Sequence, residues 1–101
     1  MKLLTQELRK KLPALGATEH QENPAVILKL FTPDSNWTWY ITEFDQKDTF
    51  FGLVVGFEVE LGYISLSELE ATTGPLGLHV ERDLYFKPTP LSEIRKKHAR
   101  H

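Results

Sequence analysis

VILKLFTPDSNWTWYITEF, residues 26–44, reads as strand, turn and strand. Val26 to Phe31 is a β-branched and apolar run of the kind that forms a buried strand. TPDSN, residues 32–36, follows with the Pro, Asp, Ser and Asn that favour a tight reversal through a preset φ or local side-chain hydrogen bonds. From residue 37 the chain alternates, with Trp37, Trp39 and Ile41 on one side and Thr38, Tyr40 and Thr42 on the other, so a strand is predicted over residues 37–44. On this reading Trp39 and Ile41 enter the core, Trp37 ends the same face, and Tyr40 points outward. Two strands joined by a short turn are antiparallel, and this begins a sheet.

Working outward, DQKDT (45–49) supplies a second hairpin turn. Phe50 to Glu60 reads as one curved strand in which Gly52 and Gly56 mark a bend or bulge. Gly62 to Leu66 forms a further short strand, and Ser67 is placed as the N-cap of a two-turn helix stopped by Gly74-Pro75. Upstream, Leu4, Leu8, Leu12 and Leu15 recur at helical spacing, so an amphipathic helix is predicted over residues 3–12, limited by Pro13 and Gly16. LGLHVERDLYFKP (76–88) fits either a strand interrupted by a turn or a partly helical segment. LSEIRKKHARH (91–101) reads as a C-terminal helix with a basic end. The sum is an α+β fold, a single curved antiparallel sheet of four to five strands with short flanking helices, in a single domain spanning residues 1–101.

The 101 residues contain no cysteine, which removes disulfides, thiolate metal sites and thiol nucleophiles together. The opening MKLLTQELRKK has too short an apolar run for a signal peptide, and no stretch approaches the roughly 20 apolar residues needed to span a bilayer, so a cytoplasmic protein without membrane contact is expected. The formal net charge of −2 hides an asymmetry. Lys2, Arg9, Lys10 and Lys11 against Glu7, and Arg95, Lys96, Lys97 and Arg100 against Glu93, make each end +3, which leaves −8 for residues 13–90. An acidic body with basic ends repels phosphates over most of its surface unless both ends reach one face.

Ordered segments of the chain resemble a bacterial domain family of unknown function encoded on plasmids, integrative elements and phages. The segments are Lys29 to Asp34, Trp39 with Thr42-Glu43, Phe51-Gly52-Leu53, Gly56-Phe57, Glu60 to Leu69, Gly74 to Leu78 and Glu81 to Leu84. The resemblance implies a mobile-element or phage setting and carries over no activity and no catalytic residue.

The residues themselves nominate a partner surface more readily than an active site. Trp37 and Tyr40 follow a polar turn bearing Asp34, and tryptophan, tyrosine and arginine are the usual anchors of binding hot spots. Glu58 and Glu60, two apart on a strand, project from one face, and Glu43 can join them across the hairpin. Glu81-Arg82-Asp83 holds an arginine between acids, either as a fork for a partner carboxylate or as an internal bridge. The first expectation is therefore a non-enzymatic interaction protein presenting an acidic sheet face, formed by Asp34, Trp37, Tyr40, Glu43, Glu58, Glu60, Glu81, Arg82 and Asp83, to an unidentified protein partner. A DNA-mimic or anti-defence role is its sharper form. The alternative is nucleic-acid binding through Lys2, Arg9, Lys10, Lys11, Arg95, Lys96, Lys97 and Arg100. A third reading is a small metal-dependent enzyme built on Glu43, Glu58 and Glu60.

No catalytic residue, cofactor or metal ligand is assigned, because His20, His79, His98 and His101 are scattered, the serines lack a nucleophile-elbow pattern, and Gly74 to Gly77 lacks phosphate-loop spacing. The oligomeric state is open, since an edge strand can pair with a second chain.

Overall fold

The computed structural model describes residues 2–99, and its centre is the strand that the tryptophan alternation predicts. Strand β3 (Thr38–Phe44) lies mid-sheet, because Trp39 and Ile41 on one face and Tyr40 on the other are all buried and each needs cover. The remaining main-sheet strands are β2 (Leu28–Phe31), β4 (Thr49–Val55), β5 (Val59–Ser65) and β6 (Glu81–Arg82), in the order β5-β4-β3-β2-β6 with every pairing antiparallel. A separate two-stranded ribbon pairs β1 (Ala25–Val26) with β7 (Thr89–Pro90). Helices α1 (Gln6–Lys11), α2 (Leu66–Ala71) and α3 (Leu91–His98) complete an α+β fold with an open five-stranded sheet.

The sheet is covered on both faces. On the first, Leu30, Trp39, Ile41, Phe44 and Phe50 pack with Leu3, Leu4 and Leu12 from the N-terminal segment and with Leu66 and Leu69 of α2. On the second, Val26, Tyr40 and Leu53 meet Leu91 and Ile94 of α3. Tyr40 is therefore buried rather than outward-facing. The alternation places it correctly opposite Trp39, but α3 closes over that face and the Tyr40 hydroxyl bonds His98 Nε2 at 3.0 Å.

Several boundaries differ from the sequence reading. The first helix covers only Gln6–Lys11, capped by the Thr5 hydroxyl, while Leu3, Leu4 and Leu12 are buried from non-helical chain on either side of it. Val26 and Leu28 enter opposite clusters because Ile27 interrupts the run between β1 and β2. Phe50 to Glu60 is two strands, reversed at residues 56–58, and the second continues through Ser65. The bulge lies on the partner strand, where the β3–β4 register shifts between Ile41 and Glu43. Gly52 serves close approach there, since a Cβ would sit 2.0 Å from the Tyr40 carbonyl oxygen. Ser65, not Ser67, caps α2, and Ser67 bonds the Asp48 carboxylate instead. Residues 76–88 contribute one two-residue strand, β6, an isolated antiparallel bridge from His79 to Thr73, and otherwise loop. No helix among the described residues is long and apolar enough to cross a membrane.

A candidate partner-binding cleft

The 32–36 turn, β2 and the β6 segment enclose a cleft of about 560 Å³. Its inner wall comes from Lys29, Phe31, Trp37 and Thr38, and its outer wall from Glu81, Arg82, Asp83, Leu84 and Tyr85. The turn is fixed locally. Thr32 N–H donates to the Trp37 carbonyl at 3.1 Å, the Thr32 and Ser35 hydroxyls bond one another, and Trp37 N–H donates to Ser35 Oγ at 3.3 Å.

Trp37 leaves this turn held on three sides. It stacks on Trp39 with centroids 6.0 Å apart, meets Phe57 edge-on at 5.5 Å, and covers Gly56, where a Cβ would lie 2.4 Å from its ring. Such a packed aromatic can bind with little loss of rotamer freedom.

The outer wall is anchored by pairing and by charge. Phe31 opposes Glu81 and Leu30 opposes Arg82. Arg82 donates to the Lys2 carbonyl, and Asp83 N–H donates to the Lys29 carbonyl at 3.0 Å. Lys29 Nζ lies 3.5 Å from Asp83 Oδ2 and 5.8 Å from the Tyr40 ring centroid. A partly exposed pair of this kind contributes roughly 0–1 kcal/mol to stability, so its main effect is to orient the lysine. Asp83 Oδ1 also accepts from Tyr85 N–H at 2.9 Å, which turns the chain and leaves the Tyr85 side chain 91 % exposed, with Leu84 beside it at 61 %.

Not all the residues singled out in the sequence come together. Trp37, Glu81, Arg82 and Asp83 line the cleft, and buried Tyr40 lies under its Lys29. Asp34 turns away, accepting from the N–H groups of Leu76 (2.7 Å) and Leu78 (3.3 Å) and so clasping the Gly74–Leu78 loop to the turn. Glu43 is 4 % exposed and holds the 16–18 loop through Gly16 N–H at 2.8 Å and Thr18 N–H at 2.9 Å. Burial alone would raise the Glu43 carboxyl, but bonds from the Thr18 hydroxyl and from the Gly16 and Thr18 N–H groups outweigh it and hold the group below the usual carboxylate range. Glu58 and Glu60 belong to the β4–β5 reversal and to β5, across the sheet from Glu81. The acids therefore form no single face. Among the described residues no three His, Cys, Asp or Glu side chains are grouped to hold a metal.

The basic ends also separate. Arg9, Lys10 and Lys11 ride on α1, whose flanking leucines enter the first cluster, whereas Arg95, Lys96 and Lys97 ride on α3 over the second. Arg100 lies outside the described residues.

Sequence reasoning missed Lys29, Leu84 and Tyr85. A lysine between Leu28 and Leu30 on a strand was the available signal for the first, because alternation places it on the face opposite both leucines. The other two are apolar side chains in a polar loop. Their exposure depends on the Asp83 turn, which the letters do not announce.

A family model described as a protein of unknown function, DUF2958, matches residues 3–101. No curated protein and no solved structure matches the chain.

Proposed function

Because the chain belongs to the DUF2958 family, to which no activity is attached, we propose from the cleft itself that it is a non-enzymatic accessory protein that binds a protein partner there. The observation that carries the reading is the grouping around one cleft of Trp37, Leu84 and Tyr85, the last two exposed, with Lys29, Glu81, Arg82 and Asp83. Aromatic and arginine side chains are the usual anchors of a protein-binding hot spot, and the lysine and acids beside them suit its polar rim. They suit a partner segment that offers an apolar or aromatic side chain flanked by charge.

A cytoplasmic setting on a plasmid, integrative element or phage belongs to the same proposal, on the resemblance of the ordered segments. Division of the acids between opposite edges favours this local cleft over an extended row of carboxylates imitating DNA. The basic helices lie over opposite sheet faces, so a nucleic-acid clamp draws no support from their placement.

The test is affinity capture from the native host after nuclease treatment, comparing the unaltered chain with Tyr85→Ala and Trp37→Ala. One protein retained by the unaltered chain, and lost at least about tenfold with Tyr85→Ala, supports the reading. Loss of all bound material on nuclease treatment, or capture indifferent to both substitutions, overturns it.

A further inference from the structure

Strand β5 forms an outer edge of the sheet, bonded among the described residues to β4 on one side only. Soluble proteins usually blunt such edges with shortness, proline, lysine or a bulge. The opposite edge, β6, has only two residues. β5 runs for seven residues, carries one charge, Glu60, but neither proline nor lysine, and pairs with β4 in unbroken register from Val59 to Ser65.

Two bonds at the ends of the β4–β5 ladder fix its phase. Leu66 N–H donates to the Asp48 carbonyl at 2.8 Å, and Gly56 N–H donates to the Glu58 carbonyl at 2.9 Å. Bonded pairs alternate along an antiparallel ladder, so Glu60, Gly62 and Ile64 exchange bonds with β4, while Val59, Leu61 and Tyr63 direct their N–H and C=O groups to the open edge. These same three residues share one sheet face and are 39 %, 42 % and 72 % exposed. A free hydrogen-bonding row and an apolar row coincide on three residues.

We propose that β5 pairs antiparallel with β5 of a second copy of this chain, about a two-fold axis at Gly62, to give one continuous ten-stranded sheet. A two-fold contact needs a patch complementary to itself, and the phase of the open edge supplies one. Leu61 of each copy faces Tyr63 of the other in a bonded pair, Val59 faces Ser65, and Glu60 faces Ile64. The two Gly62 residues then face each other in a non-bonded pair, where opposed side chains come closest, with Cα atoms about 4.5 Å apart. A Cβ at Gly62 would meet nothing within 4 Å in its own chain. In this register the two Glu60 carboxylates are four residues apart along the ladder, roughly 13 Å. Moving the axis toward Glu60 brings those like charges together, and moving it toward Ser65 leaves Val59 and Glu60 opposite α2 of the other copy, without strand partners.

The chain has no cysteine, so a single introduced thiol reports the register. Under a mild oxidant Gly62→Cys is expected to form a disulfide-linked dimer. Glu60→Cys is expected to remain largely uncrosslinked, because its thiols stand well beyond the roughly 7 Å Cα separation a disulfide can bridge. In sedimentation equilibrium the unaltered protein should show twice the 11.6 kDa chain mass, and Leu61→Lys should raise the dimer dissociation constant at least about tenfold with an unchanged circular dichroism spectrum. Should Leu61→Lys fail to fold, the more exposed Tyr63→Lys makes the same test. A monomer at all concentrations, equal crosslinking of the two cysteine variants, or a dimer indifferent to both lysine substitutions overturns the proposal.

Discussion

Glu43 and Thr18, twenty-five residues apart, are joined twice, because the Thr18 N–H and hydroxyl both donate to Glu43 Oε2. With Gly16 N–H on Oε1, this carboxylate is the fastening between the 16–18 loop and β3. Glu43→Ala leaves buried donors unsatisfied and should cost about 2–4 kcal/mol in urea unfolding. The sign of its pH dependence follows from the lowered folded pKa. The stabilisation is fully present above the unfolded value near 4.5 and is lost as pH falls through the lower folded value. Glu43→Gln should flatten that acid limb, which a pH series of urea midpoints measures.

His98 and Tyr40 supply a second pH-dependent contact. Burial, and then the charges of Lys29 and Lys97, hold the His98 imidazole below its ordinary 6.5. Its folded pKa is depressed, so the unfolded chain takes up the proton first and stability falls as pH drops below about 6.5. The loss levels off below the folded value. Thermal midpoints from pH 8 to 5 should fall less steeply in His98→Gln than in the unaltered chain.

Asp34 and Gly74 fit only as a pair. A Cβ at residue 74 would lie 1.7 Å from Asp34 Oδ1, so Gly74→Ala should cost about 1–3 kcal/mol through overpacking. Asp34→Ala removes the obstacle together with the bonds to Leu76 and Leu78. A double-mutant cycle should therefore depart from additivity by at least about 0.5 kcal/mol, with Gly74→Ala less harmful in the Asp34→Ala background.

Gly56→Ala places a methyl against the Trp37 ring and should displace it from Trp39 and Phe57. The expected signs are a changed near-ultraviolet dichroism signal and destabilisation of about 1–3 kcal/mol. An unaltered aromatic signal would mean that the ring is not clamped as described.

The sheet was legible where one physical pattern repeats without interruption. Alternation from Trp37 through Thr42 identifies β3 and the opposed directions of Trp39 and Tyr40, and the polar 32–36 and 45–49 stretches mark two of the three hairpin turns, the reversal at residues 56–58 being hidden in an apolar run. It could not tell which face stays open, since burial of Tyr40 depends on α3, about fifty residues later in the chain. The Thr42 bulge was illegible for a related reason. Its visible signal, Gly52, sits on the other strand, where the absent side chain makes room for the Tyr40 carbonyl. Among the candidate residues, Trp37 and the Glu81–Asp83 run stand out by type alone, and the fold gathers them around one cleft. Asp34 and Glu43 stand out by charge, yet their carboxylates accept from backbone N–H groups that no spacing rule predicts.

The two-rung pairing of Leu30 with Arg82 and Phe31 with Glu81 gives the cleft a loosely attached wall. Strands β3 to β5 are neighbours in sequence and share long ladders, whereas β6 rejoins β2 after about fifty residues and is held by little backbone pairing. Amide protons of β6 should therefore exchange through local opening at lower free energy than those of β3 and β4. Occupation of the cleft would slow that exchange selectively, so a bound partner would leave its mark on the lifetime of the β6 amides while the central meander remained unchanged.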